Sequence, residues 1–360
     1  MCAESRLARL EKELEPLKLD AVLVSHLPNI RYLCGFTGSS GLLVVGEREP
    51  IFFTDGRYAE QAREEVKGAR IRIEKGKSAL AAATDWLRKQ TWLSRLGIEA
   101  AYVTVSDRDT VAKAVSRRVR LFSVPPLIER MRMVKSPAEV AKIREACALG
   151  SRLLDTVRSA LKPGSTESQV AAQLELTARN AGADQMAFTT IIAAGKRSAL
   201  PHGRASVAHI PSQGFVVCDF GVILSGYCSD MTRTLHVGPS SAEARKVYQA
   251  VLEAQSAALE TVKPGTAVAK VDSAARKLLQ NRGLAKYFTH STGHGLGLEI
   301  HEAPRVAAGQ TEVLQPGMVI TVEPGVYLPG RFGVRIEDTV VVTDTGCEIL
   351  TKCPKELLSV

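Results

Sequence analysis

No Cys-x-x-Cys pair occurs among the seven cysteines (Cys2, Cys34, Cys147, Cys218, Cys228, Cys347 and Cys353), and their number is odd. A disulfide framework is thereby disfavoured, and the scattered set points to a reduced, cytoplasmic protein. No apolar run approaches the ~18 residues a membrane-spanning helix needs. The charged start, Met1 to Leu10, has a helical rather than a leader-like pattern, so neither a membrane nor export is expected. Aromatics are scarce, at 5% of residues, and none interleaves the densest basic stretches, Ser116 to Arg120 and Arg130 to Lys135. The net charge of +9 therefore belongs to a solvated face, and no nucleic-acid partner is expected. Phosphate-binding loops are lacking too. The glycines of Gly35-Phe36-Thr37-Gly38-Ser39-Ser40-Gly41 are spaced wrongly for a dinucleotide, and no glycine-rich or catalytic loop accompanies the kinase-like Asp219-Phe220-Gly221. His301-Glu302 is not the zinc-protease helix motif, because Arg305 stands where its second histidine would.

Apolar residues, by contrast, make up 45% of the 360, enough for two domains with real cores. Up to residue 125, short apolar strands (Ala21 to Val24, Gly41 to Val45, Ile51 to Phe53, Ile71 to Ile73, Leu96 to Ile98) alternate with amphipathic helices (Arg57 to Val66, Ser78 to Trp92, Asp107 to Val115). That alternation predicts an α/β domain over 1–125, closed by the Pro125-Pro126 pair. A second domain, 126–360, opens on a helix of some 25 residues. Ser136-Pro137-Ala138-Glu139 supplies its cap, and Val140, Ile143, Ala146, Cys147 and Leu153 its apolar face.

The second domain carries a faint internal repeat. Leu161-Lys162-Pro163-Gly164 opens a helix with Val170, Leu174 and Leu176, and Val262-Lys263-Pro264-Gly265 opens another with Val271, Ala274, Leu278 and Leu279. Gly214 to Asp219 then parallels Gly317 to Glu323. Each half ends a strand on a carboxylate and adds a second one soon after: Asp230, eleven residues beyond Asp219, and Glu337, fourteen beyond Glu323. Two halves folded alike would bring these pairs face to face across a pseudo-twofold axis.

A carboxylate beside a buried apolar run is costly unless something compensates it. Singly, each has an ordinary explanation: Asp219 could cap a turn, Asp230 could pair with Arg233, and Glu337 with Arg335. Together with the glycine-flanked His294 of Gly293-His294-Gly295 they form a donor set of four carboxylates and one imidazole. That set suits manganese, cobalt, iron or zinc in an open site. Two such ions ~3.5–4 Å apart can lower the pKa of a shared water to roughly 7, which is the chemistry of metal-assisted hydrolysis. His202 in its Pro/Gly loop, His301 and Arg335 are candidates for holding a carbonyl or carboxylate and moving a proton.

These residues carry a resemblance. Tyr227-Cys228-Ser229-Asp230-Met231-Thr232-Arg233-Thr234, His290-Ser291-Thr292-Gly293-His294-Gly295-Leu296-Gly297, Glu323-Pro324-Gly325-Val326-Tyr327 and Gly333-Val334-Arg335-Ile336-Glu337-Asp338 resemble the proline-specific metallopeptidases of the pita-bread fold. Those are the Xaa-Pro aminopeptidases and the Xaa-Pro dipeptidases, or prolidases; residues 1–125 resemble their creatinase-type N-terminal domain. The resemblance implies an α/β domain followed by an α+β pita-bread domain. It implies that Asp219 and Asp230 chelate one metal, His294 the other, and Glu323 and Glu337 contact both. By similarity Glu323 takes the proton from the attacking water, His202 and His301 hold substrate, Arg335 supports proton relay, and His290 and Tyr327 line the proline side. Manganese or cobalt, sometimes zinc, and a homodimer are also implied. The stretches at Gly35 to Gly41 and Thr54 to Gln61 look closer to bacterial Xaa-Pro aminopeptidases. The expected activity is therefore removal of the residue before proline from peptides by a metal-bridging hydroxide; a prolidase confined to dipeptides is the alternative, and a non-catalytic binding module on the same fold the remote one.

Overall fold

The computed structural model describes residues 5–360, so Cys2 lies outside the described residues; the chain divides into two compact units, one ending at Arg132 and one starting at Met133. In the first, the helices α1 (Arg6–Leu14), α2 (Leu27–Cys34), α3 (Ala59–Glu65), α4 (Ala79–Leu87), α5 (Val105–Ala114) and α6 (Leu127–Met133) accompany six strands. These are β1 (Ala21–Val24), β2 (Leu42–Gly46), β3 (Ile51–Asp55), β4 (Arg70–Glu74), β5 (Arg95–Glu99) and β6 (Arg120–Val124), in one sheet ordered β4-β3-β2-β1-β5-β6. The short link after β2 makes an antiparallel hairpin with β3, whereas α3 and α5 carry the chain back to give the parallel pairs β3–β4 and β5–β6. Leu23, Val44, Phe53, Leu87 and Leu96 form the core between this sheet and α4. The sequence ended this domain at residue 125, but the unit runs on to Arg132. Helix α6 buries Leu127, Ile128 and Met131, Tyr32 donates its hydroxyl to the Met131 carbonyl, and the Arg132 guanidinium reaches Asn29 at 2.7 Å.

The second unit begins with α7 (Pro137–Ala160) and α8 (Glu167–Asn180). Both arms of the capping box at Ser136 and Glu139 are made, and Val140, Ile143, Ala146, Cys147 and Leu153 are buried as their spacing predicts. Leu176 departs from expectation: it is 62% exposed. It lies two residues, about 200° of helix, beyond the buried Leu174, on the solvent side. Strands β7 (Gln185–Met186), β8 (Ile191–Ala194), β9 (Gly214–Phe220), β10 (Val222–Leu224), β11 (Tyr227–Cys228) and β12 (Met231–Val237) complete the first half.

The second half repeats the scheme. Helices α9 (Ala242–Thr261) and α10 (Val268–Asn281) precede β13 (Gly293–Gly295), β14 (Glu302–Val306), β15 (Val319–Val322), β16 (Gly325–Leu328), β17 (Phe332–Arg335), β18 (Asp338–Val342) and β19 (Cys347–Ile349). The three-stranded order β12-β9-β8 of the first half recurs as β18-β15-β13 inside the five-stranded sheet of the second. In both, the third strand returns antiparallel to the central one, so the end of one lies beside the start of the other: Thr232 opposes Asp219, and Asp338 opposes Val322. Asp219 lies near the end of β9 and Asp230 just before β12; Glu323 directly follows β15 and Glu337 directly precedes β18. The fold thus delivers four carboxylates to equivalent corners of two like sheets. Among the described residues no helix is long and apolar enough to cross a membrane, and the six described cysteines are free thiols.

Candidate metal centre

A cavity of about 630 Å³ opens in the second unit, and Asp219, Asp230, His294, Glu323 and Glu337 all line it. Donor atoms of Asp230, His294 and Glu337 lie within 4.8 Å of one another. The His294 Nε2 stands 3.5 Å from Asp230 Oδ2 and 3.5 Å from Glu323 Oε1. These are not ion pairs, because burial drives the imidazole pKa down to about 4 and leaves the ring neutral. Neutral imidazole is the form that binds metal. Its Nδ1 is 3.0 Å from the Gly295 carbonyl, which fixes the ring and leaves Nε2 facing the carboxylates.

The glycines beside His294 are required by close approach of strands. A Cβ on Gly293 would sit 2.0 Å from the Thr321 carbonyl oxygen, and one on Gly295 would sit 2.2 Å from that of Ala303. Strand β13 is therefore pressed between β14 and β15, with His294 held at the cavity floor.

Electrostatics mark the cluster as incomplete without a cation. Burial, reinforced by the Asp219 and Glu323 charges, holds the Asp230 carboxyl well above the usual range. Burial, then Asp230, Glu323 and Asp219, does the same to Glu337. Glu323 is pushed up to about 8, chiefly by burial. Asp219 Oδ1, Asp230 Oδ1 and Glu337 Oε1 are buried with no hydrogen-bond partner. An unpaired buried carboxylate oxygen costs roughly 1–3 kcal/mol or more. Divalent cations would satisfy all three oxygens and displace the protons that the raised carboxyls otherwise hold. The donor set, hard oxygens plus one imidazole, fits that chemistry.

The ordinary pairings do not occur. Arg233 turns away from Asp230 to Asp338, at 2.7 Å, and Arg335 pairs with Asp219 rather than Glu337. Supporting contacts come from two threonines that sequence reasoning passed over: Thr232 donates to Glu337 Oε2 at 2.7 Å, and Thr321 to Glu323 Oε1 at 3.2 Å. Each lies two residues from a candidate ligand, a same-face spacing that could have found them.

The remaining candidates gather around this floor. His202, His290, His301 and Arg335 line the cavity, and the His301 ring stands edge-on to His294 with centroids 4.4 Å apart. Tyr327, expected at the wall, stands behind it instead. Its hydroxyl receives Arg335 at 2.6 Å and lies 2.8 Å from His290 Nε2, so it braces both. Arg305 also lines the cavity, directly across the strand pair from His294. Only the register of β13 and β14 reveals it.

Residues 141–344 match Metallopeptidase family M24, and residues 6–134 match the Creatinase/Prolidase N-terminal domain. The chain is 38% identical to the Xaa-Pro dipeptidase of Pyrococcus horikoshii over 94% of its own length and 95% of that protein's. It superposes on the structure of Xaa-Pro dipeptidase from Bacillus anthracis with a TM-score of 0.95, at 37% identity over 98% and 99% of the two chains. For X-Pro aminopeptidase from Thermotoga maritima the TM-score is 0.88, at 37% identity over 97% and 100%. With a creatinase-type domain leading into a pita-bread domain that carries the acidic cavity, this chain belongs to metallopeptidase family M24.

Proposed function

We propose that the protein is an Xaa-Pro dipeptidase, a prolidase that splits dipeptides ending in proline. The observation that supports it is an arginine, Arg305, on the wall of the cavity directly across from His294. A dipeptide differs from a longer peptide in presenting a free carboxylate beside the scissile bond, and a guanidinium is the group that recognises one. The relatives named as Xaa-Pro dipeptidases favour the same reading over the aminopeptidase expected from the N-terminal stretches.

Asp219, Asp230, His294, Glu323 and Glu337 would hold divalent cations, two in number and manganese or cobalt by resemblance. When bound, such ions supply Lewis-acid activation of water and of the scissile carbonyl at neutral pH. Glu323 accepts a proton from the attacking water as its oxygen bonds to the carbonyl carbon. His202 and His301 donate to the carbonyl oxygen as negative charge grows on it. The C–N bond breaks as a proton reaches the prolyl nitrogen, and Arg335, held by Tyr327 and Asp219, steadies the charge at Asp219 during that transfer. His290 lies against the ring of proline. An Xaa-Pro bond has no N–H, so a site that works by charge rather than by backbone pairing suits it.

Rates on Xaa-Pro and on Xaa-Pro-Yaa-Zaa peptides test the proposal, with and without exhaustive chelation and added manganese. Dipeptides should be cleaved and longer peptides spared, and Arg305→Ala should raise KM for dipeptides at least tenfold. Equal or faster cleavage of longer peptides would replace it with the aminopeptidase reading. Full activity after chelation would remove both.

A further inference from the structure

The helix that follows each Pro-Gly turn carries a buried carboxylate, and neither carboxylate reaches the cavity floor. Glu167, at the start of α8, is fully buried. It accepts hydrogen bonds from the Ala194 N–H at 2.8 Å, the Ser206 N–H at 3.0 Å and the Ser206 hydroxyl at 2.6 Å, and pairs with Arg197 Nε at 3.0 Å. Arg197 in turn donates to the Arg204 carbonyl at 2.8 Å. Every one of these partners lies at the base or within the loop 194–206, the loop that presents His202 to the cavity. Asp272 does the same in the other half. It receives the Thr292 hydroxyl at 2.7 Å and Arg276 Nε at 2.8 Å, while Arg276 donates to the carbonyls of Phe288 and His290 and covers the Phe288 ring at 4.2 Å. Beyond Ala194, the last residue of β8, both loops run outside the sheet ladders, so without such contacts they would have more conformations to choose from.

We infer that Glu167–Arg197 and Asp272–Arg276 are paired clamps, positioning residues that fix His202 and His290, respectively, at the distance a proline-containing substrate requires. Each clamp uses a carboxylate with no route to the scissile bond, and its arginine fastens loop carbonyls that no strand partner takes. The inference rests on the peptidase reading, because it is the substrate contacts of the two histidines that the clamps serve. Misplacing a catalytic contact by about 1 Å costs roughly 100-fold in rate. Loosening a clamp therefore acts first through its own histidine, although the first loop also takes Arg335 at the Pro201 carbonyl and the second meets Glu323 through the Thr292 carbonyl.

The arginines are one-third exposed (35% and 34%), so Arg197→Met and Arg276→Met are the variants suited to folding intact, with Glu167→Gln as a second probe of the first clamp. Arg197→Met should lower kcat/KM roughly 10- to 100-fold in the wild-type and His290→Ala backgrounds, but by less than threefold in His202→Ala. Arg276→Met should show the reverse pattern, losing its effect only in His290→Ala. Amide hydrogen exchange on the same proteins should quicken at least tenfold in 194–206 for Arg197→Met and Glu167→Gln, and in 288–292 for Arg276→Met. Penalties that multiply in every background, or exchange unchanged in the clamped loop, would overturn the clamps. Wild-type protein inactive on every Xaa-Pro peptide would sink the peptidase reading instead, and exchange alone would then decide whether the loops are clamped.

Discussion

Replacing Glu323 with glutamine should stabilise the metal-free protein while removing its activity. The Glu323 carboxyl is pushed up to about 8 from an ordinary 4.5, so at pH 7 the folded, cation-free chain keeps a proton that the unfolded chain would release. Holding that proton across 2.5 pH units, at about 1.4 kcal/mol each, costs the folded state roughly 3 kcal/mol. Glutamine has no such cost, keeps the shape, and still accepts from the Thr321 hydroxyl that now meets Oε1 at 3.2 Å. For a unit of this size, about 3 kcal/mol corresponds to a Tm rise of roughly 6–12 °C. The assay is differential scanning calorimetry in chelator and then in manganese. A cation at 100 times its Kd adds about 2.7 kcal/mol to the wild type and less to a variant lacking one charged donor. The order of the two melting temperatures should therefore draw together or reverse on adding metal. A variant that melts below the wild type in chelator would refute the reasoning, because the carboxylates would then be compensated by the protein itself.

Three further outcomes follow from the same geometry. Above about pH 6.5, where the buried His290 and His294, pushed down to about 4, no longer add stability with rising pH, the metal-free wild type should lose stability up to about pH 8, since the raised Glu323 carboxyl favours the folded state only while protonated; denaturant titrations at pH 7 and 9 should show the decline, and a rise between them would contradict it. Arg233→Met leaves Asp338 buried with only Lys355 at 2.9 Å and Gln255 at 2.8 Å, so the loss should lie near 3 kcal/mol, the lower end for a broken buried pair, seen as a Tm drop of roughly 6–12 °C. Gly295→Ala places a Cβ against the Ala303 carbonyl at 2.2 Å, so β13 must shift and manganese affinity should fall at least tenfold by calorimetric titration.

Much of the first unit was legible because strands such as Ala21–Val24 and Ile51–Asp55 are short apolar runs between punctuating turns. Helix α2 and strand β6 were not. The segment Leu27 to Cys34 mixes Pro28 and a buried Asn29 into its inner face, and β6 is only partly buried, so neither has a clean period. Helix α6 escaped because two prolines before it resemble a domain boundary, whereas its fate is set by what Tyr32 and Asn29 offer it. In the second unit the capping box was plain because it is local in sequence, whereas the repeat, its two halves about 100 residues apart, was only faint.

The five candidate donors, the two halves and the glycines around His294 could be read from the chain itself, because strand period, turn chemistry and the cost of a buried charge act over a few residues. Tertiary structure alone decided the partners. It sent Arg233 to Asp338 and Arg335 to Asp219, set Tyr327 behind the wall, and brought Arg305 opposite His294. Those outcomes depend on strand register and on which charges meet across a hundred residues, which no local pattern encodes.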